Sequence, residues 1–167
     1  MALDATVGGA SSNSFGTRAE ANTFFADRLY TSTWDDASDA NKDKALITAC
    51  SQICQLRFFG EKATSTQALP WPRLCVRNPD ASAYSDLYFD SDEIPTKLKQ
   101  AQFIYAHELL KSDSISENQM SGLKRLSTGT IDLEFEPAMV QASGKIPAEA
   151  MRLLRGLVMT GGRVIRS

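Results

Sequence analysis

Apolar residues return every three to four positions in four stretches of the chain, with polar residues between them, and that period marks an amphipathic helix. The first stretch follows "TRAE", where Thr17 can cap a helix while Glu20 reaches back to it; Ala21, Phe24, Phe25 and Leu29 then share one face, predicting a helix over 18–30. The second has Ser38 or Asp39 as its cap and acidic residues in the first turn, where the helix dipole favours them. Leu46, Ala49, Cys50, Ile53 and Leu56 form its buried stripe until Gly60 stops the run. Pro95 opens the third, with Leu98, Ala101, Tyr105, Ala106, Leu109 and Leu110 inward. Pro147 opens the fourth, with Ala150, Leu153, Leu154, Leu157 and Val158 inward and Gly161 and Gly162 as its end.

The period changes to two at Ile131, Leu133 and Phe135, which alternate with Asp132, Glu134 and Glu136. With Gly129 as the turn, and Lys124 and Arg125 placed to face the carboxylates, this predicts a β-hairpin over 121–136. Residues 60–93 keep no period, carry Pro70, Pro72 and Pro79, and hint at a short strand only at Leu87–Phe89. The expected fold is mainly α: a small bundle of four helices with one hairpin and a long proline-containing loop. Residues 1–16, rich in Gly, Ser and Asn, read as a flexible arm, 17–160 as one domain, and 161–167 as a basic tail.

Within the loop, "QALPWPR" sets a tryptophan between two prolines. Proline fixes φ near −65° and pushes the preceding residue out of the helical region, so Leu69 and Trp71 are both expected to be extended. Gln67, Leu69, Trp71, Pro72 and Arg73 therefore read as a rigid anchor. Trp71 is expected in the core or against a neighbour, and Arg73 paired with a carboxylate or a carbonyl.

The 167 residues carry 18 basic and 20 acidic side chains, a net charge of −2, so the overall balance does not ask for nucleic acid or an anionic membrane. No run reaches the roughly 18 apolar residues of a membrane span. The start, "MALDATVGGASSNSFG", lacks a basic and apolar leader, and three cysteines without scaffold spacing fit a reducing compartment. The single histidine, His107, sits in a helix beside Glu108, away from any nucleophile elbow. Cys50 and Cys54 lie one helical turn apart but lack companion ligands, and read as buried core thiols rather than a zinc site. Neither a phosphate loop nor a calcium loop is present, so no enzyme, metal or cofactor is expected.

The order of elements, together with Trp34, Lys44-Ala45-Leu46, Gly60, Gln67, Leu69, Trp71-Pro72-Arg73, Ile94-Pro95, Ala101 and Ala106, resembles the head-to-tail adaptor (connector, head completion) proteins of tailed bacteriophages, a group that includes chains labelled DnaT-like single-stranded-DNA-binding proteins. The resemblance implies a structural virion protein of the neck, assembled in the host cytoplasm. It implies a homo-oligomeric ring of twelve copies that docks on the portal protein, meets a tail or neck protein on its other side, and lets packaged double-stranded DNA pass. Arg163, Val164, Ile165 and Arg166, alternating charged and apolar after a double glycine, are the expected portal-docking tail. The alternative is a single-stranded-DNA-binding replication or primosome accessory protein. That reading needs exposed aromatics in a basic groove, and the acidic residues around Trp34 and Tyr88 count against it.

Overall fold

The computed structural model describes residues 2–82, 87–111, 125–128, 131–134 and 146–159. Helix α1, Arg18–Ala26, begins with a full capping box: the Thr17 side chain accepts from the Glu20 N–H, and the Glu20 carboxylate accepts from the Thr17 N–H. It ends four residues earlier than the apolar spacing predicts. The Arg28 N–H turns back to the Phe25 carbonyl and Tyr30 takes a left-handed φ of 62°, which leaves Leu29 83% exposed instead of in the core. A short turn of helix, α2 (Ser32–Asp35), buries Trp34, whose indole N–H donates to Asn22 at 3.0 Å.

Ser38 caps α3 (Asp39–Ile53) through its hydroxyl, and Leu46, Ala49, Cys50 and Ile53 all lie buried as the period requires, but the helix ends well before Gly60, and Leu56, expected in the same stripe, lies beyond it and half-buried. Helix α4 (Thr96–Lys111) follows Ile94-Pro95 and packs mainly between α3 and the last helix, α5 (Ala148–Leu154). Strands β3 (Arg125–Thr128) and β4 (Ile131–Glu134) pair antiparallel with Arg125 opposite Glu134 and Thr128 opposite Ile131. The expected hairpin is therefore present at a narrower span. Strands β1 (Glu61–Lys62) and β2 (Arg73–Leu74) form a second, two-residue pair. Among the described residues the architecture is mainly α with small antiparallel pairs.

Helix α5 stops at Leu154, well before Gly161 and Gly162. Arg155 turns extended and Gly156 takes a φ of 96°, so Leu157 and Val158 reach the core from a strand-like segment rather than from a helical face. The N-terminal segment also departs from expectation. Asp4 is bound into its own loop by Asn13, Thr6 and Ser11, and Phe15 is fully buried. Residues 2–16, read as a flexible arm, lie against the bundle.

What holds that segment is one buried side chain on α4. The Gln102 amide nitrogen donates to Ser14 Oγ at 2.7 Å and to the Leu46 carbonyl at 2.9 Å; its oxygen accepts the N–H groups of Phe15 at 3.0 Å and Gly16 at 3.2 Å. All four hydrogen-bonding positions of the amide are used. His107, one turn and a half further along, packs its ring 5.2 Å from Phe25 with Nε2 buried and without a partner among the described residues. Burial holds its pKa below the ordinary value, and Lys111 adds to this against Glu108, Asp35 and Glu149.

Replacing Gln102 by Leu strands two buried N–H groups and a carbonyl at once. Urea denaturation should show a loss on the order of 3 kcal/mol, against less than about 1 kcal/mol for an exposed position of the same helix such as Lys111. For His107 the folded value is depressed, so the unfolded chain takes up the proton first. Melting temperature should therefore be flat above pH 6.5 and decline as the pH falls below it. The decline should shrink in His107→Gln.

Candidate functional site

The proline-flanked stretch closes a single subunit. Trp71 is fully buried, edge-on to Phe58 at 6.1 Å and to Phe89 at 6.0 Å, and the Trp71-Pro72 peptide is cis. Gln67, 3% exposed, braces the loop from inside: its amide nitrogen donates to the carbonyls of Leu69 and Pro72, and its oxygen accepts the Thr64 N–H. Arg73 donates only to carbonyls. Its Nε meets Phe59 at 2.6 Å, and its two terminal nitrogens meet Pro70 and Gly60. Leu69 is half-buried and Pro72 buried. The five anchor residues thus act together, Trp71 by packing and the two polar ones by tying off backbone.

Gly60 fits this crossing for a steric reason. It has a φ of 69°, and a Cβ there would sit 2.1 Å from the Leu74 carbonyl oxygen. The close approach lets the chain after α3 cross β2 and continue as β1.

Around Trp71, four short segments join edge to edge into one seam. Residues 57–59 pair with 157–159 through Phe59 N–H to Leu157 and Met159 N–H to Arg57; Glu61 and Lys62 pair with Leu74 and Arg73; and 76–78 pair with 87–89 through Phe89 N–H to Val76 and Asn78 N–H to Leu87. Directly opposed residues in antiparallel pairs share a face, and their chain neighbours take the other. Phe58 and Val158 are opposed and both buried, so Arg57, Phe59 and Met159 point outward; Arg77 and Tyr88 are opposed and both exposed. The seam thus exposes two aromatic–arginine pairs: Phe59 (41% exposed) with Arg57 on one segment, and Tyr88 (60%) opposite Arg77 on two others, with the chain bending at Gly60 and Cys75 between them.

At one end of the seam a cavity of about 330 Å³ is lined by Phe89, Asn78, Arg155, Lys97 and Glu93. Arg57, Arg77 and Arg155 form no ion pair among the described residues, whereas Lys97 is held by Asp80. Glu61 is the acidic residue in the paired strands, and it lies near Arg73, whose guanidinium is already committed to backbone.

The acidic residues around Trp34 and Tyr88, which count against nucleic acid in the sequence, are placed differently by the fold. Trp34 is buried and has no open face to offer, and Tyr88 stands opposite Arg77. Phe59, Arg57 and Arg77 were not singled out, because the pairing that gathers them joins segments up to 100 positions apart, Phe58 to Val158. Arg163, Val164, Ile165 and Arg166 lie outside the described residues. No helix among the described residues is long and apolar enough to cross a membrane.

Arg73→Lys keeps the charge but cannot reproduce a fork aimed at three carbonyls. It should cost about 2 kcal/mol in chemical denaturation, while Arg77→Lys, on the open face, should cost less than about 0.5 kcal/mol. Equal effects would show that Arg73 does not brace the loop.

A family model described as "Putative DnaT-like ssDNA binding protein" matches residues 1–167, the whole chain. No curated protein and no solved structure matches it. The family match corrects the leading expectation from the sequence: it describes a single-stranded-DNA binder, the alternative, and not a structural virion ring with portal, tail protein and transiting duplex as partners. The physical basis of that expectation also weakens. A net charge near zero says nothing about how cations and aromatics are distributed, and the buried anchor loop is accounted for within one subunit.

Proposed function

We propose that this chain, which belongs to the DnaT-like ssDNA binding protein family, holds single-stranded DNA on the outer face of the seam, as a binding protein without catalytic activity. The observation that carries the reading is that the seam exposes an aromatic ring beside an arginine twice, Phe59 with Arg57 and Tyr88 opposite Arg77. Unstacked bases present flat apolar faces, and aromatic side chains receive them without regard to sequence. Arginines alongside meet the phosphates and can also stack on a base.

A duplex has no free base faces, so the rings select for single strands. The few cations keep the electrostatic part small. Arg57, Arg77 and Arg155, which form no ion pair among the described residues, would supply three phosphate contacts, which corresponds to a slope of roughly −2 in log K against log salt for a single strand. Such an interface binds moderately and releases readily, and several copies along a strand would add their affinities.

Fluorescence anisotropy with a labelled oligothymidylate across a salt series separates the two contributions. Tyr88→Ala or Phe59→Ala should weaken binding by about 1–3 kcal/mol with the salt slope unchanged, whereas Arg77→Ala should lower the slope by about 0.7. A duplex of the same length should bind more weakly than the single strand. No salt-sensitive binding of the wild-type chain at low ionic strength, or equal binding of single strand and duplex, would overturn the reading.

A further inference from the structure

Helix α3 ends in two thiols that neither the packing of the core nor the DNA-binding face requires to be adjacent. The Sγ atoms of Cys50 and Cys54 lie 3.9 Å apart, one turn of helix from each other. Cys50 is 1% exposed, while Cys54, the C-cap residue, is only half-buried. The two sulfurs are unequal in charge as well as in access. A hydrogen bond from the Cys50 thiol draws the Cys54 pKa down, burial opposes this, and the Lys62 ammonium draws it down further. The same contact and the burial of Cys50 push its own thiol far up. A half-buried cysteine whose thiol pKa is lowered, with a second, fully buried thiol within contact, is the arrangement of an attacking and a resolving cysteine.

We propose that Cys54 and Cys50 form a peroxide-responsive dithiol that closes into a disulfide within α3. In the first step the Cys54 thiolate attacks one oxygen of hydrogen peroxide; the O–O bond breaks, hydroxide leaves, and Cys54 becomes a sulfenic acid. In the second, the Cys50 sulfur attacks the Cys54 sulfur, the S–O bond breaks, and the departing hydroxyl leaves as water with the Cys50 proton. The hydroxide released first is neutralised by solvent. One peroxide is reduced to two waters, counting the proton first lost from Cys54, and two thiols are oxidised to one disulfide.

The backbone permits this closure at the end of a helix better than in its middle. Regular helix geometry puts Cα atoms four residues apart at about 6.2 Å, inside the range that a disulfide spans. Their Cβ atoms, about 5–6 Å apart, are wider than a bridge prefers, so the last turn must tighten. The Cys54 N–H still bonds to the Cys50 carbonyl at 2.9 Å, but the helix gives way to three-residue spacing directly after it, where the Gln55 N–H bonds to the Gln52 carbonyl and the Leu56 N–H to that of Ile53, so the backbone next to Cys54 is no longer held by a continuing helix. Cys75, exposed and remote in sequence, has no thiol beside it among the described residues and serves as an internal comparison.

Peptide mapping of the full chain after graded peroxide and rapid alkylation tests the proposal directly. Trypsin releases Ala45–Arg57 with both thiols and Leu74–Arg77 with Cys75 alone. The expected result is that the 45–57 peptide loses two hydrogens and both alkylation sites together, and regains them with dithiothreitol. In Cys50→Ser, Cys54 should instead accumulate as a sulfenic acid that dimedone traps; in Cys54→Ser, Cys50 should stay reduced at peroxide levels that close the wild-type pair. The proposal is overturned if both thiols of the 45–57 peptide stay reduced while Cys75 is oxidised, or if Cys54 advances to sulfinic acid with Cys50 still alkylatable in the wild-type chain.

Discussion

One buried amide decides how the parts of this fold are arranged. Gln102 stands in the middle of α4 where an amphipathic stripe would place an apolar residue, and it spends both of its donors and both of its acceptor positions on two other parts of the chain. Apolar side chains can slide past each other at small cost, but an amide buried away from water is stable in just the register that satisfies it. It fixes α4 against α3 at the Leu46 carbonyl and brings residues 14–16 to the same point. From there the chain enters α1 through the Thr17 cap, so the position of the first helix follows from the same constraint. Gln67 repeats the device on a smaller scale inside the proline loop.

The paired seam depends on these two fixed regions in a way that separates residues of the same type. Arg73 and Arg77 are four positions apart, yet Arg73 has turned its guanidinium inward onto three carbonyls while Arg77 stands open opposite Tyr88. The first makes the surface possible and the second is available to a ligand. A count of basic residues treats them alike. What distinguishes them is whether the local backbone carries unpaired carbonyls, and the abrupt turns around Pro70, Pro72 and Gly60 leave several.

Much of the framework was legible in the sequence where the cause is local. The Thr17 and Glu20 cap, the Ser38 cap, the α3 stripe and the Pro95 entry to α4 each need only neighbouring residues, and each is present. The hairpin was legible from its two-residue period, and the pairing of Arg125 opposite Glu134 agrees with it. The ends of α1 and α5 were not, because Leu29 and Leu157 continue the apolar period while the backbone has already left the helix at Asp27 and Arg155. Nor could composition show that a Gly- and Ser-rich segment would be held down by a glutamine some 87 residues away. The candidate face was the least legible part. Its residues look unremarkable until long-range pairing collects them, and the chemistry of the site lies in that collection.

The pairing of Phe58 with Val158 has a consequence for how the molecule is made. A chain leaves the ribosome from its N-terminal end, and the helices α1, α3 and α4 are complete once Lys111 has emerged. The edge that completes the seam comes from residues 157–159, so the surface that bears Phe59 is finished only after these have been synthesised. Until then the inner faces of Phe58 and Trp71 lack their last cover. Closing a loop of this length is entropically slow to start but costs little more than closing one half as long. The nascent chain thus acquires α1, α3 and α4 first, and a chain released before residue 148 lacks both α5 and the edge that completes the face.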